Sequence, residues 1–334
     1  MSSPHRYIVL GAGGVGSALG GMLQLSGARV VLVARGAHLE ALRRDGLSLA
    51  TPSRAWTIPV EAAASPREIR FEADDVVLLC TKSQDSAAAL DDLAASAPRD
   101  VPIVCAQNGV ANEPLAARRF DHVHGLMVFS PIGFIGPGRV TIHSEPVLGA
   151  LDVGVYSTGE GAVATDLAHD LSQAGFDARV EPRVMRLKYG KLLTNLANAL
   201  EALSGRAAID VALLARLQEE ALRCYAAANI EFATLDEIHR RGAAVAELPV
   251  AGESRGGGSS WQSLSRRTGS IETEYLNGEI VRLGELHGVA TPRNRALTAV
   301  ARRAAAEGWP PGNLSAAELA AALAAEGAES TEAD

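Results

Sequence analysis

Tyr7-Ile8-Val9-Leu10-Gly11-Ala12-Gly13-Gly14-Val15-Gly16 opens the chain with a short β-branched apolar run that ends on spaced glycines, and an uncharged, helix-compatible stretch follows it. Strand, G-x-G-x-x-G turn and helix together are the context in which this motif carries weight. Gly11 permits the tight strand-to-helix turn, Gly13 lets backbone approach a pyrophosphate, and Gly16 lets the helix pack close on the strand. Ala12, Gly14 and Val15 complete the cofactor-binding loop, and the helix start offers free N–H groups and a positive dipole end. A rival reading exists, because Tyr7 to Ala28 carries no charge and follows His5 and Arg6, as the core of a signal peptide or membrane helix would. Seven glycines in that stretch, each weakening a helix by roughly 1 kcal/mol relative to alanine, argue for the dinucleotide turn instead.

Outward from this unit, short apolar runs alternate with helix-like stretches to about residue 150, the mark of a parallel sheet covered by helices. Strands are expected at Tyr7–Leu10, Arg29–Val33, Asp75–Cys80 and Pro102–Cys105, with weaker ones at Asp152–Tyr156 and Ala178–Glu181 around a helix at Ala164–Ala174. Pro182 punctuates the change. From Val184 the period is helical, interrupted at Leu248-Pro249 and the glycine-rich Arg255–Gly258, with a final helix near Ser315–Ala325. The expected fold class is α/β, with an N-terminal Rossmann-type doubly wound parallel sheet over residues 1–182 and a C-terminal all-α catalytic and substrate domain over 183–325. The small, acidic residues 326–334 are expected to form a disordered tail.

Bulk properties narrow the function. The 334 residues are 47% hydrophobic, 21% charged and 4% aromatic, with a formal net charge of −8 and no basic block to hold a phosphate backbone, so nucleic acid is excluded as a partner. Apart from Tyr7–Ala28 nothing approaches a membrane span. Cys80, Cys105 and Cys224 are odd in number and lack metal-ligand spacing, so they read as buried thiols of a reducing cytoplasm and no metal is expected.

The choice of dinucleotide falls at the end of the second strand, where an NAD-binding chain would place a carboxylate for the ribose 2′-hydroxyl. Here stands Val33-Ala34-Arg35, and no carboxylate appears until Glu40. The planar, permanent charge of Arg35 suits the 2′-phosphate of NADPH. Lys82 and Asn108 lie just past the carboxyl ends of strands, the edge where open α/β sheets bind ligands. Asn108-Gly109 is also a favoured turn dipeptide whatever its function.

Further along, Lys191, Asn195 and Asn198 fall, at about 100° per residue, within an arc of about 60° on one helix. Leu192, Leu193, Leu196 and Leu200 lie elsewhere around it and would pack the element down. Reduction of a ketone builds negative charge on oxygen, and a lysine beside that oxygen can stabilise the charge and deliver the proton. Neutral carboxamides can orient a substrate without disturbing that lysine. The pattern is equally compatible with a solvated lysine and capping amides. Lys188 lies on nearly the same face, without an asparagine four residues later.

Taken in order, these segments resemble the ketopantoate reductase (2-dehydropantoate 2-reductase) family over most of the chain. The likeness is carried by the glycine fingerprint, Thr81-Lys82-Ser83-Gln84, Gln107-Asn108-Gly109, Lys191-Leu192-Leu193-Thr194-Asn195, and a C-terminal series. That series is Ser259-Ser260, Arg266-Arg267-Thr268, Ile271-Glu272-Thr273-Glu274-Tyr275-Leu276-Asn277-Gly278 and Val289-Ala290-Thr291-Pro292. The resemblance implies NADPH-dependent reduction of a small 2-oxo acid, ketopantoate by preference, in a cytoplasmic enzyme of pantothenate biosynthesis working in a cleft between its domains. It further implies Lys191 as general acid, Glu272 as its acidic partner at substrate and cofactor, Asn195, Asn198, Ser260 and Asn108 as substrate ligands, and Lys82 and Asn108 lining the nicotinamide end.

Three features depart from the family pattern. The aromatic residue before the lysine is displaced in Tyr189-Gly190-Lys191, Asn198 stands seven residues after the lysine where eight is commoner, and Gly269-Ser270 interrupts the run into Glu272. The identity of the 2-oxo acid therefore stays open, as does reduction of a different carbonyl or an imine. A non-catalytic NADPH sensor is the alternative from another class. A homodimer is entertained as the assembly, which the residues themselves do not fix. Glu272 also has the reading of a solvated helix residue, and Ser259 or Ser260 that of a helix cap.

Overall fold

The computed structural model describes residues 3–157, 159 and 161–331. They divide into two compact units, one running to Lys188 and including Asp236–Arg255, the other comprising Tyr189–Leu235 and the chain from Gly256 onward.

The strands of the first unit are β1 (Arg6–Leu10), β2 (Arg29–Val33), β3 (Leu47–Ala50), β4 (Ala55–Ile58), β5 (Glu61–Ala63), β6 (Asp75–Leu79), β7 (Ile103–Cys105), β8 (Val123–Phe129), β9 (Ile132–Gly136), β10 (Arg139–Ile142), β11 (Ala150–Val155) and β12 (Asp177–Val180). Helices α1 (Gly14–Leu25), α2 (Gly36–Asp45), α3 (Ser86–Ala94), α4 (Asn112–Ala117) and α5 (Ala162–Gln173) connect them. Eight strands form one sheet in the order β12-β11-β8-β7-β6-β1-β2-β5, parallel except where β11 meets β8. Alternation within β1 explains its burial. Tyr7 and Val9 enter one apolar cluster with Leu19 and Leu23 of α1, while Ile8 and Leu10 enter a second with Leu90 and Leu93 of α3. Both faces are thus covered by helices, as a parallel sheet requires, and the doubly wound expectation holds. Tyr7–Ala28 is strand, turn and helix. Among the described residues no helix is long and apolar enough to cross a membrane.

Two features are not legible in the sequence. A second sheet, ordered β4-β3-β10-β9, is assembled from strands of four or five residues. Its β3–β10 pairing is parallel and joins Ser48 to Arg139, a long-range match that short strands do not announce. The other is the return of Asp236–Arg255, part of the stretch expected to be all-α domain, to the α/β unit. Arg241 explains it. Its guanidinium donates to both oxygens of Asp152 (2.9 and 2.8 Å), to Asp177 (2.7 Å) and to the carbonyls of Leu151 and Asp177, so the charge is nearly buried yet fully paired.

The second unit is helical. It holds the end of α6 (Val184–Asn195), then α7 (Ala197–Ser204), α8 (Val211–Ala227), the first residue of α9 (Leu235–Gly242), α10 (Ser259–Ser265), α11 (Asn277–His287), α12 (Pro292–Ala306) and α13 (Ala316–Thr331). The expected disordered tail is corrected here. Helix α13 continues to Thr331, because alanine-rich sequence favours helix and Glu326 pairs with Arg303 of α12 at 2.7 Å. Residues 332–334 lie outside the described residues. Among the cysteines, Cys105 and Cys224 are buried, whereas Cys80 is only partly covered.

Candidate active site

The carboxyl edge of the large sheet gathers the first set of residues. Leu10 is in register with Val33 and Leu79, and Leu79 with Cys105, so β1, β2, β6 and β7 end together. The glycine loop, Arg35, Lys82 and Asn108 all lie just beyond those ends. Strand β1 has β2 on one side and β6 on the other, which makes this the switch point of the sheet.

Each glycine of the loop has a separate steric basis. Gly11 has φ +98°, and a Cβ there would lie 2.6 Å from the Thr81 nitrogen. A Cβ on Gly16 would fall 2.3 Å from the Gly11 oxygen and 2.8 Å from Val9 Cγ1, so α1 approaches β1 more closely than any side chain allows. At Gly13 a Cβ would meet nothing within 4 Å, which leaves that side of the backbone open to a ligand. Gly11 and Ala12 donate to the Val33 oxygen at 3.2 and 2.9 Å, tying the loop to the end of β2. Gly13 caps α1 without a side chain, so Gly14, Val15 and Gly16 begin a helix whose first-turn N–H groups have no intrahelical acceptor. Arg35 is exposed at the N-cap of α2. These residues fit a dinucleotide with a phosphate near Arg35.

His38 is a further member of this edge that the sequence does not reveal. Gly138 N–H donates to its Nδ1 at 2.8 Å, which leaves the proton on Nε2, 3.3 Å from Ser17 Oγ, and that hydroxyl donates to the Ala12 oxygen at 2.8 Å. Burial pulls its pKa down, favouring the neutral ring that this arrangement needs. A lone histidine in the first turn of a helix carries no signal of such a role.

Lys82 and Asn108 are half-buried, Lys82 before a 3-10 turn at Ser83–Asp85 and Asn108 in the bend after β7. Beneath them lies Lys188. Its Nζ donates to the carbonyls of Gln107 (3.0 Å) and Cys105 (3.4 Å) and to Glu113, with both charged side chains buried. All three ammonium donors are committed to the fold, so Lys188 does not compete with Lys191. Burial raises the Glu113 pKa against the pull of Lys188. Lys188→Met should therefore destabilise the protein by about 3–5 kcal/mol, the usual result of orphaning one member of a buried pair. Lys188→Met/Glu113→Gln should recover most of that loss, and denaturant melts of both variants measure it.

The second set belongs to the helical unit. Lys191 is half-buried on α6, Asn195 is 9% exposed at its last residue, and Asn198 is half-buried on α7. Only Leu196 separates the two helices, and it keeps helical dihedrals (φ −61°, ψ −22°) and donates to the Leu192 carbonyl at 3.1 Å, so α6 runs into α7 across a single residue. Leu192, Leu193, Leu196 and Leu200 are buried as their spacing implies. The Oδ1 of Asn195 is buried and accepts no hydrogen bond. Such a group costs on the order of 1–3 kcal/mol unless something donates to it, and a ligand hydroxyl is one group chemically suited to do so.

Ser260 is 2% exposed, and neither it nor Ser259 caps α10, whose N-cap is Gly258; both hydroxyls are buried without partners. The helix-cap reading of these serines is thereby removed. Glu272 is 5% exposed in a 3-10 turn, Glu272–Tyr275, and is not a solvated helix residue. Gly190, which the motifs pass over, brings α6 against Ala233, whose oxygen would lie 2.4 Å from an added Cβ. An isolated glycine in a helical pattern is the signal that points to it.

Comparison with known proteins agrees across the chain. Residues 7–158 match the family model for ketopantoate reductase PanE/ApbA, and residues 183–305 match its C-terminal counterpart. The 2-dehydropantoate 2-reductase of Archaeoglobus fulgidus is 29% identical over 309 residues, covering 89% of this chain and 97% of its own. That of Mesorhizobium japonicum is 28% identical, covering 90% and 98%. Among solved structures, a PanE/ApbA family ketopantoate reductase from Ralstonia eutropha superposes with a TM-score of 0.76 at 27% identity, over 91% of this chain and 99% of that one. D-mandelate dehydrogenase, solved with NADH and anilino(oxo)acetate, shares the fold with a TM-score of 0.75 at 22% identity, over 91% and 99%. With family matches in both halves and relatives aligned nearly end to end, the chain belongs to the ketopantoate reductase family.

Proposed function

We propose that this protein reduces the ketone of a small 2-oxo acid with NADPH, 2-dehydropantoate to pantoate by preference. The reading rests above all on the orphaned, buried Oδ1 of Asn195, one helical turn after Lys191. A buried acceptor that lacks a donor is suited to a substrate hydroxyl, and an ammonium one turn away is suited to the carbonyl oxygen beside it. NADPH, when bound, supplies the hydride to the carbonyl carbon. Lys191 Nζ–H gives its proton to the oxygen, so the C=O becomes CH–OH and the oxygen never carries a full free charge.

Asn195 and Asn198 orient the substrate, and the unpartnered Ser260 hydroxyl is free to donate to its carboxylate. Glu272, at substrate and cofactor, accepts from a hydroxyl. Gly11, Ala12, Gly13, Gly14, Val15 and Gly16 hold the pyrophosphate, Arg35 the 2′-phosphate, and Lys82 and Asn108 the nicotinamide end. Residues 1–182 and 183–325 serve as the cofactor and catalytic parts in this scheme, apart from the returning Asp236–Arg255 segment.

The test is loss of NADPH absorbance with 2-dehydropantoate and a panel of other 2-oxo acids. Turnover fastest with 2-dehydropantoate is the expected result. Faster turnover with another member of the panel assigns the enzyme to that acid. NADPH binding without oxidation by any of them replaces the reading with that of a sensor.

A further inference from the structure

We propose that Asn277 is a positioning residue for this reaction, holding the segment that carries Lys191 and Asn195 in register with the turn that carries Glu272. The inference rests on the roles given to Lys191 and Glu272 above. Asn277 is fully buried at the start of α11. Its Nδ2 donates at 3.3 Å to the carbonyl of Leu196, the residue at the junction between α6 and α7 that directly follows Asn195. The same amide donates to Asn294 Oδ1 at 3.1 Å, and its own oxygen accepts a long bond, 3.5 Å, from the hydroxyl of Thr273, the neighbour of Glu272.

The far side of this amide is anchored in turn. Asn294, fully buried on α12, donates through Nδ2 to Glu220 Oε2 (2.8 Å) and to the Leu217 carbonyl (3.1 Å), and its backbone N–H reaches the same carboxylate at 3.0 Å. Glu220, buried on α8, takes the Arg293 N–H and guanidinium with its other oxygen. One chain of bonds therefore runs from α8 through α12 and α11 to the α6–α7 junction and the Glu272 turn. An apolar side chain at 277 would fill the space as well. Only a group that donates twice and accepts once fixes both segments against the same anchor, and satisfied buried polar networks impose a single arrangement in this way.

The experiment is a double-mutant cycle on the full-length protein, with kcat, KM for 2-dehydropantoate, NADPH Kd and Tm measured for each variant. Asn277→Ala should lower kcat about tenfold to a hundredfold, with NADPH Kd changed far less than kcat, because most of its effect passes through Lys191. In a Lys191→Ala background the same substitution should cost at least about threefold less than in the wild type, since one of the groups it positions is gone. A residue that merely supports folding would cost the same factor in both backgrounds, and that outcome overturns the assignment. So does a normal kcat in folded Asn277→Ala. If Asn277→Ala does not fold, Thr273→Val, which removes only the hydroxyl bond, takes its place and should show a smaller loss with the same non-additivity. Absence of wild-type turnover overturns the reaction and this role together, whereas wild-type turnover with equal losses overturns Asn277 alone.

Discussion

Lys191→Ala should lower kcat by about a thousandfold, within the hundredfold to ten-thousandfold range usual for loss of a positioned general acid. NADPH affinity should stay within about twofold, because the glycine loop and Arg35 belong to a separate unit of the chain. In the proposed reaction the substitution removes the proton donor and the positive charge that meets the developing alkoxide, so the loss appears in kcat more than in KM. Stability should change little, since Lys191 is only half-buried and α6 is anchored by the buried Leu192 and Leu193. Steady-state kinetics with a fluorescence titration of NADPH check this together, and an unchanged kcat removes Lys191 from the mechanism. Lys188 gives the contrast. It lies on the same helix and is also a lysine, but its ammonium is consumed by Glu113 and two carbonyls, so its loss is read in melting and not in the chemical step.

The second large effect is expected at Arg35. Arg35→Asp should weaken NADPH binding by about tenfold to a hundredfold, the range for losing a charge-assisted pair worth roughly 1.5–3 kcal/mol. Repulsion between the new carboxylate and the 2′-phosphate adds to that loss. NADH lacks the phosphate, and a carboxylate at this position accepts from the free 2′-hydroxyl, so its affinity should hold or improve. The residue is exposed at the N-cap of α2, where aspartate is a good capping residue, so the fold should tolerate the change. Competitive titration of the two cofactors measures the ratio. Equal weakening of both would mean that Arg35 does not read the phosphate.

Much of the molecule is legible in its amino-acid sequence. The strand at Arg29–Val33 falls where its β-branched run places it, and Arg6–Leu10 and Asp75–Leu79 each differ by one residue from the expected Tyr7–Leu10 and Asp75–Cys80. These are apolar runs buried on both faces, whose burial is decided by their own composition. The glycines at 11 and 16 are equally readable, because the demand for glycine there is local: a turn with positive φ and a helix pressed on its preceding strand.

Other features depend on partners distant in sequence. The small sheet needs β3 beside β10, the return of Asp236–Arg255 needs Arg241 to find Asp152, and the Leu196 carbonyl at the α6–α7 junction is met by Asn277. None of these leaves a periodicity in the local sequence. By itself the sequence determined the dinucleotide unit, the all-helical character of most of the second half and the residue types available for chemistry. Tertiary structure decided which of two lysines on one helix is tied into the core, which serines are orphaned rather than capping, and where a glutamate is buried. The physical reason is that propensity and hydrophobic period act over a few residues, whereas desolvation and hydrogen-bond satisfaction depend on whatever the fold brings alongside.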